Sequence, residues 1–145
     1  MVVILTLALL LPAASQVWAI THLQVQPGNL VTLQYIDGSF YRIKSNGVTE
    51  EKPFKPSSQT LIIMDIDWTF TGGEAGHTYP LMLSIEAPKQ TAQVFATQAT
   101  PNGDGSGGIN VHLTSALTFA SGAYVLATLP DGVTTTNLYL HGYVI

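Results

Sequence analysis

From residue 30 onward, apolar and polar residues alternate in short runs separated by Gly, Pro, Asn and Asp. A period of two puts successive side chains on opposite faces of a strand, whereas an amphipathic helix needs apolar residues three and four apart. No stretch of residues 20–145 shows the helical spacing between a cap and a stop. Leu30 to Ile36 and Ser39 to Lys44 flank Asp37-Gly38, a pair suited to the backbone of a tight hairpin turn. His22 to Gln26 precedes them as a first candidate strand, closed by Pro27-Gly28-Asn29. Leu61 to Phe70 carries the clearest pattern. Strict alternation places Ile62, Met64, Ile66, Trp68 and Phe70 on its core face, with Asp65, Asp67 and Thr69 opposite. Tyr79 to Ala87 groups Leu81, Leu83 and Ile85, and Thr91 to Ala99 follows. Ile109 to Leu113, Ala123 to Leu129 and Thr134 to Ile145 complete the series.

These runs make about eight or nine strands, spaced near ten residues apart. Parallel pairing needs crossovers of a dozen or more residues, usually helical, and the chain has no room for them. The expected fold is therefore all-β: an antiparallel two-sheet β-sandwich, jelly-roll-like, with an immunoglobulin-like Greek key as second choice. The polar stretch through Glu50, Glu51, Pro53, Pro56, Ser57 and Ser58 reads as a loop inside this domain, because neither side of it alone has enough strands for a core.

The first residues follow a different pattern. Met1 to Ala14 has no charged side chain, and Val2 to Leu11 is as long as the apolar region of a signal peptide but too short to span a bilayer. Val17-Trp18-Ala19 has the small-residue spacing that a signal peptidase reads. The expectation is a leader at residues 1–19 and a single domain at 20–145, without a membrane span. The usual positive segment before the apolar run is missing, and the competing readings are a first buried strand or an uncleaved anchor. A leader implies a secreted, periplasmic or cell-envelope location. The chain has no cysteine, so its core must hold the domain without disulfides.

Only 10% of the residues are charged, against about 25% in an average soluble domain. Lys and Arg number 5 against 9 Asp and Glu, for a net charge of −4. So few cations, in no run, cannot neutralise a series of phosphates, which argues against nucleic acid as a partner.

Candidate chemistry is sparse. Asp65 and Asp67 project from one face, roughly 7 Å apart. Paired carboxylates at such a distance serve glycoside hydrolysis, with Glu74 or Glu86 as further candidates, or share a cation; the plainer reading is a solvated strand face. Asn102, Asp104 and Ser106 sit at alternate positions of a Gly-rich loop, a weak match to a calcium loop. Leu113 stands where the closing Glu would be, so a flexible connection explains the composition as well. Among the histidines, His22, His77, His112 and His141, no pair has metal-ligand spacing. No nucleophile elbow is present, and Gly103 to Gly108 lacks the Lys and helix of a phosphate cradle.

The last strand is more informative. Leu138, Leu140 and Val144 share one face, and Tyr139, His141 and Tyr143 share the other, with Gly142 between. A stripe of amphipathic rings stacks on sugars or forms a subunit contact; the bland alternative is a stabilising cross-strand cluster or a two-sided core. A chain that closes on apolar residues also suggests that Ile145 is locked into a sheet. The expected function is that of an exported, non-catalytic binding, adhesive or assembly module, for carbohydrate or for self-association through Tyr139, His141 and Tyr143, with no metal or cofactor. The alternatives are a glycan-acting hydrolase using Asp65 and Asp67, and a homo-oligomeric structural surface protein.

Overall fold

The computed structural model describes residues 26–88 and 90–145. The expected leader, His22 and the first candidate strand up to residue 25 lie outside the described residues. A single 3-10 turn, Pro27–Asn29, leads into eight strands: β1 Leu30–Ile36, β2 Ser39–Ile43, β3 Leu61–Thr71, β4 Tyr79–Ala87, β5 Gln90–Ala99, β6 Gly107–Phe119, β7 Tyr124–Thr128 and β8 Thr134–Val144. They form two antiparallel sheets, one of five strands in the order β2-β1-β8-β3-β6 and one of three in the order β5-β4-β7. The fold is the expected antiparallel β-sandwich. Asp37 and Gly38 both take positive φ at the β1–β2 hairpin, as a two-residue turn of this kind requires.

The core lies between the sheets. Leu33 from β1, Ile66, Trp68 and Phe70 from β3, Leu138 and Leu140 from β8 face Leu81 and Leu83 from β4, and all are buried. Trp68 and Phe70 stand two apart on the same face with ring centroids 4.8 Å apart. The Trp68 indole N–H donates to Thr135 Oγ1 at 3.1 Å, so the one polar atom of the largest core side chain is satisfied. Among the described residues, no polar or charged residue is buried, and no buried side-chain N or O lacks a partner.

Two strands depart from the sequence expectation. In β3 the alternation breaks between Ile63 and Asp65. Leu61 and Ile63 are buried, and so are Ile66, Trp68 and Phe70; Ile62 and Met64 are not. Met64 is the extra residue of a β-bulge, so the face carrying the core side chains shifts by one there. The expectation that Ile62 and Met64 join the core face is corrected accordingly. β6 is also longer than Ile109 to Leu113. Its Leu113 to Ala116 segment bows out beside the same bulge, since Ile63 pairs with Leu117 but Asp65 with His112.

The loop between β2 and β3 closes one flank of the sandwich. The Phe54 N–H donates to the Phe40 carbonyl at 2.7 Å, and the Gly122 N–H donates to the Pro56 carbonyl at 2.6 Å. Phe54 packs against the core. At the other end of the chain, Ile145 and Thr60 exchange both backbone hydrogen bonds, at 2.9 and 3.0 Å, while the Ile145 side chain stays exposed. Ile145 is thus tied by its backbone to the residue that precedes β3.

Candidate binding face

The outer face of the five-stranded sheet brings together Asp65, Asp67, His112, Tyr139, His141 and Tyr143. Inward-pointing Leu138, Leu140 and Val144 on β8 force Tyr139, His141 and Tyr143 outward. Because β8 is the middle strand, the stripe runs down the centre of the sheet rather than along its edge. Neither sheet covers it, and its three residues are half-buried by their neighbours. Gln34, Thr32 and Leu30 on β1 stand opposite Tyr139, His141 and Tyr143. Asp67, Asp65 and Ile62 on β3 stand opposite the same three residues from the other side. Asn110 and His112 on β6 continue the rows of Asp67 and Asp65.

The register produces a polar network across four strands. His141 Nδ1 lies 3.2 Å from Thr32 Oγ1, and its Nε2 lies 3.1 Å from Asp67 Oδ2. A carboxylate only accepts, so Nε2 carries the hydrogen, and in a singly protonated ring Nδ1 accepts from the threonine hydroxyl. The Asn110 side-chain amide donates to the other Asp67 oxygen. His112 Nδ1 is 2.6 Å from Asp65 Oδ1, which turns Nε2 of that ring to solvent. The Gln34 amide donates to the Tyr139 hydroxyl at 3.3 Å. The Tyr139 and His141 rings lie nearly parallel, at 26°, with centroids 6.2 Å apart.

Thr32, His141 and Asp67 follow the hydroxyl–imidazole–carboxylate order of a nucleophile relay. The surroundings of Thr32 differ from such a site. β1 is an interior strand whose backbone pairs on both sides, so its amides are committed to the sheet rather than gathered as an oxyanion hole. Asp65 and Asp67 are 38% and 34% exposed, each against its own histidine. Glu86 projects from the outer face of the other sheet, across the whole core from them. Glu74 pairs with His77 at 3.4 Å in the loop after β3. The four carboxylates therefore do not converge.

The calcium reading of Asn102, Asp104 and Ser106 meets a similar outcome. Asp104 Oδ1 accepts from the Ser106 backbone N–H at 2.9 Å, and the Asn102 N–H donates to the Ser106 carbonyl. The Ser106 N–H holds the Asp104 carboxyl below its ordinary range. The loop closes on its own hydrogen bonds. Among the described residues, no group of three or more His, Asp or Glu is placed to hold a metal ion.

What the face does hold is a shallow depression of about 320 Å³, lined by Leu30, Thr32, Met64, Asp65, His141 and Tyr143. The Tyr143 ring and aliphatic side chains form part of its wall, and a hydroxyl, a carboxylate and an imidazole form the rest. A broader hollow of about 660 Å³ adjoins it, sharing Leu30 and Thr32 and extending to Arg42, Lys44 and Glu50. Arg42 is anchored there by the carbonyls of Gly28 and Leu30. The sequence singled out His141 and Tyr143 of this lining as a binding stripe. It left out Leu30, Thr32 and Met64, whose presence depends on pairing order and on the bulge. Among the described residues, no helix is long and apolar enough to cross a membrane. No protein-family model matches the chain, and no curated protein matches it.

Proposed function

We propose that the protein is a non-catalytic binding module that takes a neutral carbohydrate chain on the outer face of its five-stranded sheet. The observation that carries this reading is the depression between Leu30, Met64, His141 and Tyr143, edged by Thr32 and Asp65. A sugar ring has an apolar face of C–H groups and a rim of hydroxyls. The first suits aromatic and aliphatic side chains, and the second suits carboxylate, hydroxyl and imidazole groups held in fixed directions. The network from Thr32 through His141 and Asp67 to Asn110 holds those groups in place before a ligand arrives, which lowers the ordering cost of binding. Two adjoining hollows that share Leu30 and Thr32 favour an extended chain over a single sugar. Against hydrolysis weighs the pairing of each aspartate with its own histidine on an open face.

Export belongs to the same proposal. It rests on the apolar run at Val2 to Leu11 and the small-residue pattern at Val17 to Ala19, and it puts the face where polysaccharides are met. Affinity electrophoresis through gels cast with neutral polysaccharides tests the reading. Wild-type protein is expected to be retarded by at least one of them, and Tyr143→Ala to run as in a blank gel while keeping the wild-type circular dichroism. Equal retardation of both proteins would place binding elsewhere.

A further inference from the structure

The hydrogen of one hydroxyl decides what the depression at Leu30, Met64, His141 and Tyr143 can recognise. Thr32 Oγ1 carries one hydrogen and two lone pairs. In the singly protonated ring of His141, Asp67 Oδ2 lies 3.1 Å from Nε2 and keeps the ring hydrogen there. The Thr32 hydrogen is then drawn to Nδ1, 3.2 Å away. Asp67 is itself held, because the Asn110 amide donates to its other oxygen. Lone pairs are all that Thr32 has left for the depression that it lines. Asp65, on the same rim, gives Oδ1 to His112 Nδ1 and leaves Oδ2, which also only accepts. The Tyr143 hydroxyl rotates to suit its partner and discriminates nothing.

We infer that His141 is a positioning residue that makes Thr32 an acceptor, so that the depression selects a pair of unsubstituted sugar hydroxyls, one donating to Thr32 and one to Asp65. A single hydroxyl has one hydrogen and cannot serve both acceptors. An O-methyl, carboxylate or sulfate group at either position sets an acceptor against an acceptor and leaves a site group unpaired. This selectivity rests on the carbohydrate reading and names the part of a sugar ring that the face reads.

The same geometry ties the selection to one proton. An imidazole exchanges its second proton between about pH 5 and 8. With hydrogens on both nitrogens, Nδ1 of His141 donates to Thr32, and the Thr32 hydrogen turns to the depression. Thr32 is then a donor and accommodates a methylated oxygen. Asp65 and Asp67 face the ring from β3, Tyr139 and Tyr143 flank it on β8, and His112 stands beyond Asp65 on β6. β1 brings Leu30, Thr32 and Gln34 to this side, and Arg42, Lys44 and Glu50 line the adjoining hollow. His112 donates to Asp65 with one ring hydrogen or two, so Asp65 stays an acceptor and the change passes through Thr32.

Long-range ¹H–¹⁵N spectra of the free protein at about pH 8 are expected to show the His141 hydrogen on Nε2. A hydrogen on Nδ1 would overturn the inference. Retardation in gels cast with dextran, galactomannan or xyloglucan is then compared with that by the O-methylated form of each polymer that retards. The preference for the plain polymer should shrink about three- to tenfold between pH 8 and pH 5, the worth of one hydrogen bond. Thr32→Ser should keep this pH dependence. Thr32→Val should weaken binding and hold the preference constant with pH, with unchanged circular dichroism. A wild-type preference that is flat with pH, or one that varies equally in Thr32→Val, would also overturn the inference. If no polymer retards the wild type, the carbohydrate reading fails, and the tautomer alone decides whether Thr32 is held as an acceptor.

Discussion

Gly142 is the position where the fold depends most sharply on the absence of a side chain. The β3 bulge at Met64 brings the Ile62–Ile63 backbone against β8. A methyl group on residue 142 would overlap the Ile62 carbonyl oxygen, and would lie 2.8 Å from its carbon and 2.9 Å from Ile63 Cα. Carbon atoms in ordinary contact sit about 3.5–4.0 Å apart, so the two carbon contacts alone would need β3 and β8 to separate by roughly 0.7–1 Å at the centre of the sheet, and the oxygen overlap needs more. Overpacking of this kind costs about 1–3 kcal/mol, and the upper end applies because every clashing atom is backbone. The lower entropy of an unfolded chain carrying Ala returns about 0.4–1 kcal/mol. Gly142→Ala should therefore lose about 2 kcal/mol, a drop of roughly 6–12 °C in Tm for a domain of this size. Urea unfolding followed by tryptophan fluorescence checks the value, with the midpoint expected to fall by about 1 M at unchanged slope. Gly28 is the control: it has negative φ and open space at its Cβ position, so Gly28→Ala should be neutral or slightly stabilising. A Gly142→Ala variant within about 0.5 kcal/mol of wild type would refute the bulge and the register it sets.

Three further outcomes are expected. Thr135→Val leaves the Trp68 indole N–H without its partner and should cost about 1–3 kcal/mol in the same unfolding experiment. Asp104 has its carboxyl pKa lowered from 3.8 by the Ser106 N–H, so it adds stability above its unfolded-state pKa and loses it as pH falls through the folded value. Asp104→Asn should accordingly be less stable than wild type at neutral pH and converge with it in strong acid, and an NMR titration should place this carboxyl below 3.8. N-terminal sequencing of protein recovered from outside the cytoplasm should begin at Ile20; a sequence beginning at Met1 would contradict a cleaved leader.

Much of the fold was legible because alternation is a local property. β1 and β4 occupy the spans read from the sequence, since their apolar residues recur at every second position between clear turn signals. β3 was misread at one point. Leu61-Ile62-Ile63-Met64 is apolar at every position, so either face satisfies the pattern, and the choice is made by β6 and β8 rather than by β3 itself. A glycine inside a strand pattern signals a bulge or a close backbone approach, and Gly142 is such a signal, next to the aromatic stripe. The stripe itself was readable, because Leu138, Leu140 and Val144 dictate which side Tyr139, His141 and Tyr143 face. Its surroundings were not. Thr32, Asn110 and Asp67 are 35 to 43 residues apart along the sequence in successive steps, and only the order β1-β8-β3-β6 makes them members of one network. Nothing in the spacing of His112 and His141 announces that Asp65 stands in register between them.

The most direct test of the binding face is a ¹⁵N-resolved NMR titration with an oligosaccharide cut from a polysaccharide that retards the protein. The account predicts that the amides of Thr32, Asp65, His141 and Tyr143 shift together, and that Tyr143→Ala abolishes the shifts without changing the rest of the spectrum. Shifts confined to the outer face of the three-stranded sheet, or to the loop through Asn102 and Asp104, would contradict it.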